Sequence, residues 1–370
     1  MSESIINFDP IGKARRPEVF SLKAFSIRGK SQAMRQQMLK DVFVLGRLAL
    51  LGQVTHFYAA PGSGKTLITM WLLSGAIESG AVDPANVFYI NADDNHKGLT
   101  QKTELAEELG FEMLAPGYEG FSAKDFEGYI RAMISDDSAN GVILILDTVK
   151  KFTSLMSKNE GAAFGATLRE FSLKGGTVIG LAHVNKHPGL DGKPVYQGTT
   201  DLRDDADCTY IVDIDSTDEQ HRVVTFTNDK NRGDVAAEVS YRYLFKPDIP
   251  WREKYLSVVT LGEDEADRVK AQRATDDRLA SNYEAIDAIV SVLSGGPRNQ
   301  TSLVEAVTKQ SGISRRGALK ALNAHAGQNN QFGQFWTERK GERNASEYIL
   351  NHAAQAVWTS KKSRLGVGGG

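Results

Sequence analysis

Residues Ala59-Ala60-Pro61-Gly62-Ser63-Gly64-Lys65-Thr66 constrain this chain more than any other stretch. Before them, Val54-Thr55-His56-Phe57-Tyr58 is short, β-branched and aromatic and reads as a strand. After them, Leu67-Ile68-Thr69-Met70-Trp71-Leu72-Leu73 is apolar and free of breakers and reads as a helix. Strand, glycine-rich turn and helix in that order is the setting of a phosphate-binding loop, or P-loop. Gly62 and Gly64 let backbone N–H groups curl around an anion without a Cβ in the way, and the helix start adds its dipole and unpaired donors. In such a loop Ala60, Pro61, Gly62, Ser63 and Gly64 wrap the phosphates, Lys65 reaches the β- and γ-phosphates of ATP, and the Thr66 hydroxyl takes Mg2+. Ala59 stands where the usual pattern begins with glycine.

The rest of the chain is read against that loop. Its 370 residues suit two domains, and 41% hydrophobic and 24% charged residues are ordinary for a soluble globular protein. The one cysteine, Cys208, excludes a disulfide framework and suits a reducing compartment. No apolar run approaches the roughly 20 residues that span a bilayer, and residues 1–10 lack the apolar stretch of a signal peptide. A cytoplasmic protein with no membrane partner is expected. The net charge of −2 hides an asymmetry: residues 281–370 hold 11 Lys+Arg against 6 Asp+Glu, leaving 33 against 40 for residues 1–280. A basic tail on an acidic body points to nucleic acid, although a solvated basic face gives the same bias.

Taken in order, residues 1–50 form an N-terminal arm with one or two short helices. Met34, Met38, Leu39, Val42 and Leu45 make an apolar stripe at helical spacing, which packs on the chain's own core or on a neighbouring subunit. Residues 51–262 form an α/β domain. Strands are expected at 54–58, 87–91, 142–147, 177–183, 209–214 and 223–228, and helices at 67–78, 99–109 and 123–134. Alternating βα units followed by extra strands fit a RecA-like core. Residues 263–280 are a charged linker or a solvated helix. Residues 281–360 then read as helices at 283–293, 301–309 and 314–323 and strands at 332–338 and 347–350, a helix-turn-helix with a basic hairpin, hence a smaller winged-helix domain. Residues 361–370 are basic, then glycine-rich, and are expected to be disordered.

Several residues carry chemistry that complements the loop. Val142-Ile143-Leu144-Ile145-Leu146-Asp147 is a buried strand ending in a carboxylate, which would place Asp147 beside the Mg2+ held by Thr66. The strand 87–91 also runs into carboxylates. Asp93, with Asp94 next, is the candidate that orients an attacking water; an acidic loop capping the next helix is the alternative. His183 closes the strand 177–183 and would sense the γ-phosphate, unless it is merely hydrogen-bonded there. Lys230 and Arg232, after the strand 223–228, form a Lys-x-Arg pair. They act either as cationic fingers on a neighbouring subunit's nucleotide or as a solvated basic turn.

Leu146-Asp147-Thr148-Val149-Lys150-Lys151-Phe152 resembles the metal-binding strand end of RepA-type plasmid replicative helicases, which are RecA-like hexamers. Ala92-Asp93-Asp94 falls at that family's acidic pair, Gly180-Leu181-Ala182-His183 resembles its histidine-bearing strand end, and Gln197-Gly198-Thr199-Thr200 its segment after a mobile loop. The Lys-x-Arg turn is more similar to the DnaB-type replicative helicases. The resemblance covers about residues 40–240. It departs in two places: Asp93 stands where the family has glutamate, and the small plasmid helicases have no C-terminal winged helix. The resemblance implies that loops 150–165 and 185–203 line a central channel, with Lys150, Lys151, Lys158, Lys186, Lys193 and Arg203 as contacts to single-stranded DNA. In the winged helix, Arg315, Arg316 and Lys320 on the recognition helix and Arg339, Lys340 and Arg343 on the wing would meet duplex DNA, or the domain would dock a replication protein. The expectation is an ATP- and Mg2+-dependent homo-hexameric DNA helicase of a plasmid, phage or integrated element. The alternative is an ATP-gated oligomeric DNA-binding regulator or helicase loader that does not unwind.

Overall fold

Successive side chains of Ile143–Asp147 enter two different cores. Ile143 and Ile145 join one apolar cluster, Leu144 and Leu146 another, on opposite faces of the strand. The same division holds along Thr177–His183, with Ile179 and Leu181 on one side and Val178 on the other. A strand covered on both faces must be apolar throughout, which is why these segments are continuous hydrophobic runs.

The computed structural model describes residues 21–32, 42–153, 157–185, 200–340 and 346–364. The chain divides into two compact units, 1–42 and 43–370. In the first, Ser21 caps a short 3-10 helix, Leu22–Phe25, by accepting from the Lys23 N–H. In the second, the elements in order are β1 (Val54–Ala59), α1 (Lys65–Glu78), β2 (Val87–Asn91), α2 (His96–Leu109), β3 (Glu112–Leu114), α3 (Phe126–Ser135), β4 (Ile143–Asp147), α4 (Lys158–Leu173), β5 (Thr177–His183) and α5 (Thr200–Asp205). There follow β6 (Cys208–Thr217), β7 (His221–Asn231), β8 (Glu238–Leu244), α6 (Trp251–Leu256), β9 (Val259–Thr260) and α7 (Glu263–Ser281).

Strands β1 to β9 form one sheet in the order β3-β2-β4-β5-β1-β6-β7-β8-β9. It is parallel from β3 to β6 and antiparallel from β6 to β9, so the fold is α/β with a mostly parallel sheet. Leu67, Ile68, Leu72 and Leu73 of α1 join Leu105 and Ala106 of α2 in one core. Phe126 and Ile130 of α3 join Phe164, Leu168 and Phe171 of α4 in the other. The carboxyl ends of the parallel strands share one edge, where Asn91 pairs in register with Asp147, Asp147 with Leu181, and Ala59 with His183. In open sheets of this kind ligands bind at that edge.

The C-terminal part has its own core and a small antiparallel sheet. Helices α8 (Tyr283–Ser294), α9 (Gln300–Ser311) and α10 (Arg315–Ala324) pack with β10 (Arg298–Asn299), β11 (Trp336–Lys340), β12 (Ser346–Leu350) and α11 (Ala354–Arg364), the strands lying in the order β10-β12-β11. Trp336 and Trp358 are fully buried there.

Five expectations change. Of the stripe expected near 21–51, Met34, Met38 and Leu39 lie outside the described residues. Leu45 is buried in a turn closed by a bridge between Phe43 and Leu50, not in a helix. The segment 150–165, read as a loop, is helical from Lys158: Ser157 accepts from the Glu160 N–H, and Phe164, Leu168 and Phe171 recur at helical spacing. The charged stretch 263–280 is a helix tied to the sheet, with Arg273 of α7 reaching Asp213 at 2.8 Å and Asp215 at 3.0 Å on β6. Residues 330–332 are a 3-10 turn, so the strand expected at 332–338 begins only at Trp336. The tail read as disordered from 361 continues α11 to Arg364.

Candidate functional site

The glycine-rich turn joins β1 to α1 at the carboxyl edge of the sheet. Gly62 and Gly64 have φ of 72° and 93°, the left-handed region where a side chain is strained. A Cβ on Gly64 would also lie 2.6 Å from the Tyr243 hydroxyl oxygen. Two side chains from the antiparallel half hold the turn by its carbonyls: Tyr243 Oη donates to Ser63 O at 3.1 Å, and Arg222 donates to Gly62 O at 2.7 Å. The Arg222 guanidinium also stacks 3.5 Å from the Phe245 ring centroid. The Ser63 hydroxyl is buried and has no hydrogen-bond partner among the described residues. Such an orphaned buried polar atom is expensive unless a ligand meets it.

Lys65, the first residue of α1, is only 7% exposed. Burial lowers its pKa, and the nearby Asp147 and Asp93 carboxylates oppose that shift. Thr66 Oγ1 donates to Asp147 Oδ2 at 2.8 Å. Tyr89 Oη, from β2, donates to the same oxygen at 2.9 Å. Two hard oxygen donors beside an anion cradle suit Mg2+, which keeps several waters and needs few protein ligands. No group of three or more His, Cys, Asp or Glu among the described residues could hold a metal by itself.

Asp93 and Asp94 are separated by their partners. Asp94 is ion-paired with buried Lys102 and accepts from Asn91 Nδ2 at 2.7 Å. Asp93 instead faces the site, with Oδ2 3.8 Å from His183 Nε2 and Oδ1 3.9 Å from Lys150 Nζ. Neither caps the next helix; Asn95 does, by accepting from the Gly98 N–H. His183 is buried, and burial with the Lys65 and Lys150 charges lowers its pKa against a smaller opposing pull from Asp93 and the Ala59 backbone. The edge thus assembles Lys65, Thr66, Asp147, Asp93 and His183, with Lys150 added.

Lys230 and Arg232 have other partners. Lys230 lies within β7, not on a turn, and its ammonium donates to the carbonyls of Arg203 and Asp204 at the end of α5. Arg232 is 3.7 Å from Asp207 Oδ1, and Arg203 donates to Asp229 Oδ2 at 2.6 Å. Among the DNA-contact candidates, Lys186, Lys193 and Arg343 lie outside the described residues, and Lys158 opens α4. Lys151 ends the 3-10 turn Val149–Lys151, Arg315, Arg316 and Lys320 lie on α10 and Arg339 and Lys340 on β11, all exposed; Arg339 donates to Glu347 at 2.8 Å. Lys150 also faces Asp93.

Sequence reasoning missed Tyr89, Lys102, Tyr243 and Arg222. Tyr89 sits two register positions before the strand end that pairs with Asp147, on the same face, so strand pairing could have placed it. The contacts of Tyr243 and Arg222 join residues far apart in the chain and carry no local signal. No protein-family model matches this chain, and no curated protein sequence does.

Proposed function

We propose that this protein is a RecA-like P-loop ATPase that assembles into a ring, a homo-hexamer, and couples ATP hydrolysis to movement on single-stranded DNA as a replicative-type helicase. One observation carries the ATPase part: Thr66 Oγ1 and Asp147 Oδ2 meet at 2.8 Å beside a left-handed glycine turn, with Lys65, Asp93 and His183 around them. The order of the parallel strands, with β5 between β1 and β4, supports the RecA-like core. The helices 300–311 and 315–324 with the sheet β10-β12-β11 support a winged-helix reading of the C-terminal part.

In this reading the backbone of residues 60–64 and the Lys65 ammonium bind the phosphates. Thr66 and Asp147 hold Mg2+, which when bound neutralises charge on the phosphate oxygens. Asp93 accepts a hydrogen bond from the attacking water and orients it in line with the terminal phosphate. Buried His183 contacts that phosphate through Nε2, which faces Asp93 at 3.8 Å. Lys230 and Arg232 act on a neighbouring subunit's nucleotide, which requires them to leave their present partners.

The second reading is an ATP-gated DNA-binding regulator or helicase loader. Asp93 favours it, because its side chain is one methylene shorter than the glutamate of the resembling helicases and reaches less far toward a water. ATP turnover with and without single-stranded DNA, with particle mass read by light scattering in the same samples, separates the two. Turnover stimulated by DNA in a hexamer-sized particle that unwinds a forked duplex is the expected result. Slow, unstimulated turnover without unwinding would favour the regulator, and an absence of ATP binding would overturn both.

A further inference from the structure

Asp93 lies between two nitrogen groups, and one of them belongs to a segment assigned above to DNA. Lys150 follows Asp147 by three residues on a 3-10 turn, Val149–Lys151, whose Val149 is fully buried in the core. The turn is therefore anchored at the carboxyl edge while the Lys150 side chain remains 40% exposed. Its ammonium is 3.9 Å from Asp93 Oδ1, and its charge acts on both Lys65 and His183. Two ammonium groups thus act on Asp93: that of Lys150 at 3.9 Å and that of Lys65, which also feels Asp147. That arrangement gains when a polyanion enters, because a phosphate chain carries more negative charge than one carboxylate.

We propose that Lys150 is a further nucleotide-site residue: it binds the terminal phosphate of a bound nucleoside triphosphate, exchanging Asp93 for that phosphate. The proposal rests on the nucleotide reading of the glycine-rich turn. It links binding to catalysis in one step. While Lys150 is paired with Asp93, its ammonium competes with a water for the carboxylate oxygens. When the ammonium moves to the terminal phosphate, Asp93 is released to orient it. A nucleoside diphosphate has no γ-phosphate to draw Lys150 away, so the contact discriminates triphosphate from diphosphate.

The test is calorimetric binding of ADP and of a non-hydrolysable ATP analogue, each with Mg2+, to the full chain and to Lys150→Ala, Lys150→Arg and Lys65→Ala. Lys174→Ala, at an exposed pair with Asp137, is the control. Lys150→Ala should lose about tenfold or more in affinity for the triphosphate, the size of one charge-assisted contact, and keep its ADP affinity. Lys150→Arg should recover most of the loss, and Lys174→Ala should match the wild type. An equal loss for both nucleotides, or no loss for either, overturns the proposal. If Lys65→Ala also binds both nucleotides like the wild type, the nucleotide site itself is wrong, and that outcome is distinct from a failure at Lys150 alone.

Discussion

Tyr89 Oη donates to Asp147 Oδ2 at 2.9 Å, and Thr66 Oγ1 donates to the same oxygen at 2.8 Å. Tyr89 is fully buried, and burial together with the Asp147 charge raises its pKa well above the usual phenol value, so the hydroxyl stays a donor across the working pH range. The pair of donors fixes the carboxylate that would meet a metal. Tyr89→Phe keeps the ring in the core and removes one hydrogen bond to a charged group, about 1.5–3 kcal/mol. We expect the variant to fold, to need several-fold more Mg2+ for half-maximal ATP turnover, and to bind Mn2+ more weakly in the presence of nucleotide by electron paramagnetic resonance. An unchanged metal dependence would remove Tyr89 from the site.

Gly64 is required twice, by its φ of 93° and by the 2.6 Å that would separate an added Cβ from the Tyr243 hydroxyl oxygen. Left-handed backbone costs a non-glycine residue about 1–2 kcal/mol, and relieving the clash would displace Tyr243 from the Ser63 carbonyl. Gly64→Ala should therefore lose at least about tenfold in nucleotide affinity, since about 1.4 kcal/mol corresponds to tenfold, while its circular dichroism stays native. Fluorescent-nucleotide titration measures it.

His56 on β1 makes the fold pH-sensitive. It is fully buried, and that burial pushes its pKa down to about 4 against a smaller opposing pull from the Gly180 backbone. The unfolded chain takes up this proton near pH 6.5 and the folded chain only near 4. The stabilising contribution is thus present above pH 6.5 and is lost as pH falls toward 4, by about 3 kcal/mol in all. His56→Leu should flatten the decline of stability over that window relative to wild type, as read by urea melts at several pH values. An equal decline in both proteins would refute the assignment.

Arg273 ties α7 to the sheet through Asp213 at 2.8 Å and Asp215 at 3.0 Å. Asp215 is largely buried, and Thr225 is its other partner. Arg273→Ala leaves that carboxylate without its cation, at a cost of about 1–2 kcal/mol after allowing for the partial exposure of Arg273. Limited proteolysis should then cut within 263–281 faster than in wild type, and unchanged cutting would mean that apolar packing alone holds the helix.

Much of the site was legible because its residues stand at ends of elements that local pattern defines. Gly62, Gly64, Lys65 and Thr66 lie between a β-branched run and a breaker-free apolar run, and Asp147 and His183 each close a buried strand. The approach of Lys150 to Asp93 was not legible because a lysine after a strand looks alike whether it turns to solvent or to a carboxylate far earlier in the chain, a distinction only the 3.9 Å distance makes. The helix from Lys158 was missed although Ser157 and Glu160 form its capping pair; the glycines beside them masked the apolar spacing.

Sequence by itself determined the α/β alternation, the glycine turn and which strand ends carry carboxylates, since hydrophobic periodicity and backbone freedom act within a few residues. Tertiary structure alone decided which of Asp93 and Asp94 faces the site, that Tyr89 grips Asp147, and that Lys230 caps α5. Those choices depend on strand order and register, which bring together groups separated by tens of residues. Electrostatics and hydrogen bonding act over a few ångströms of space and carry no trace in the spacing along the chain.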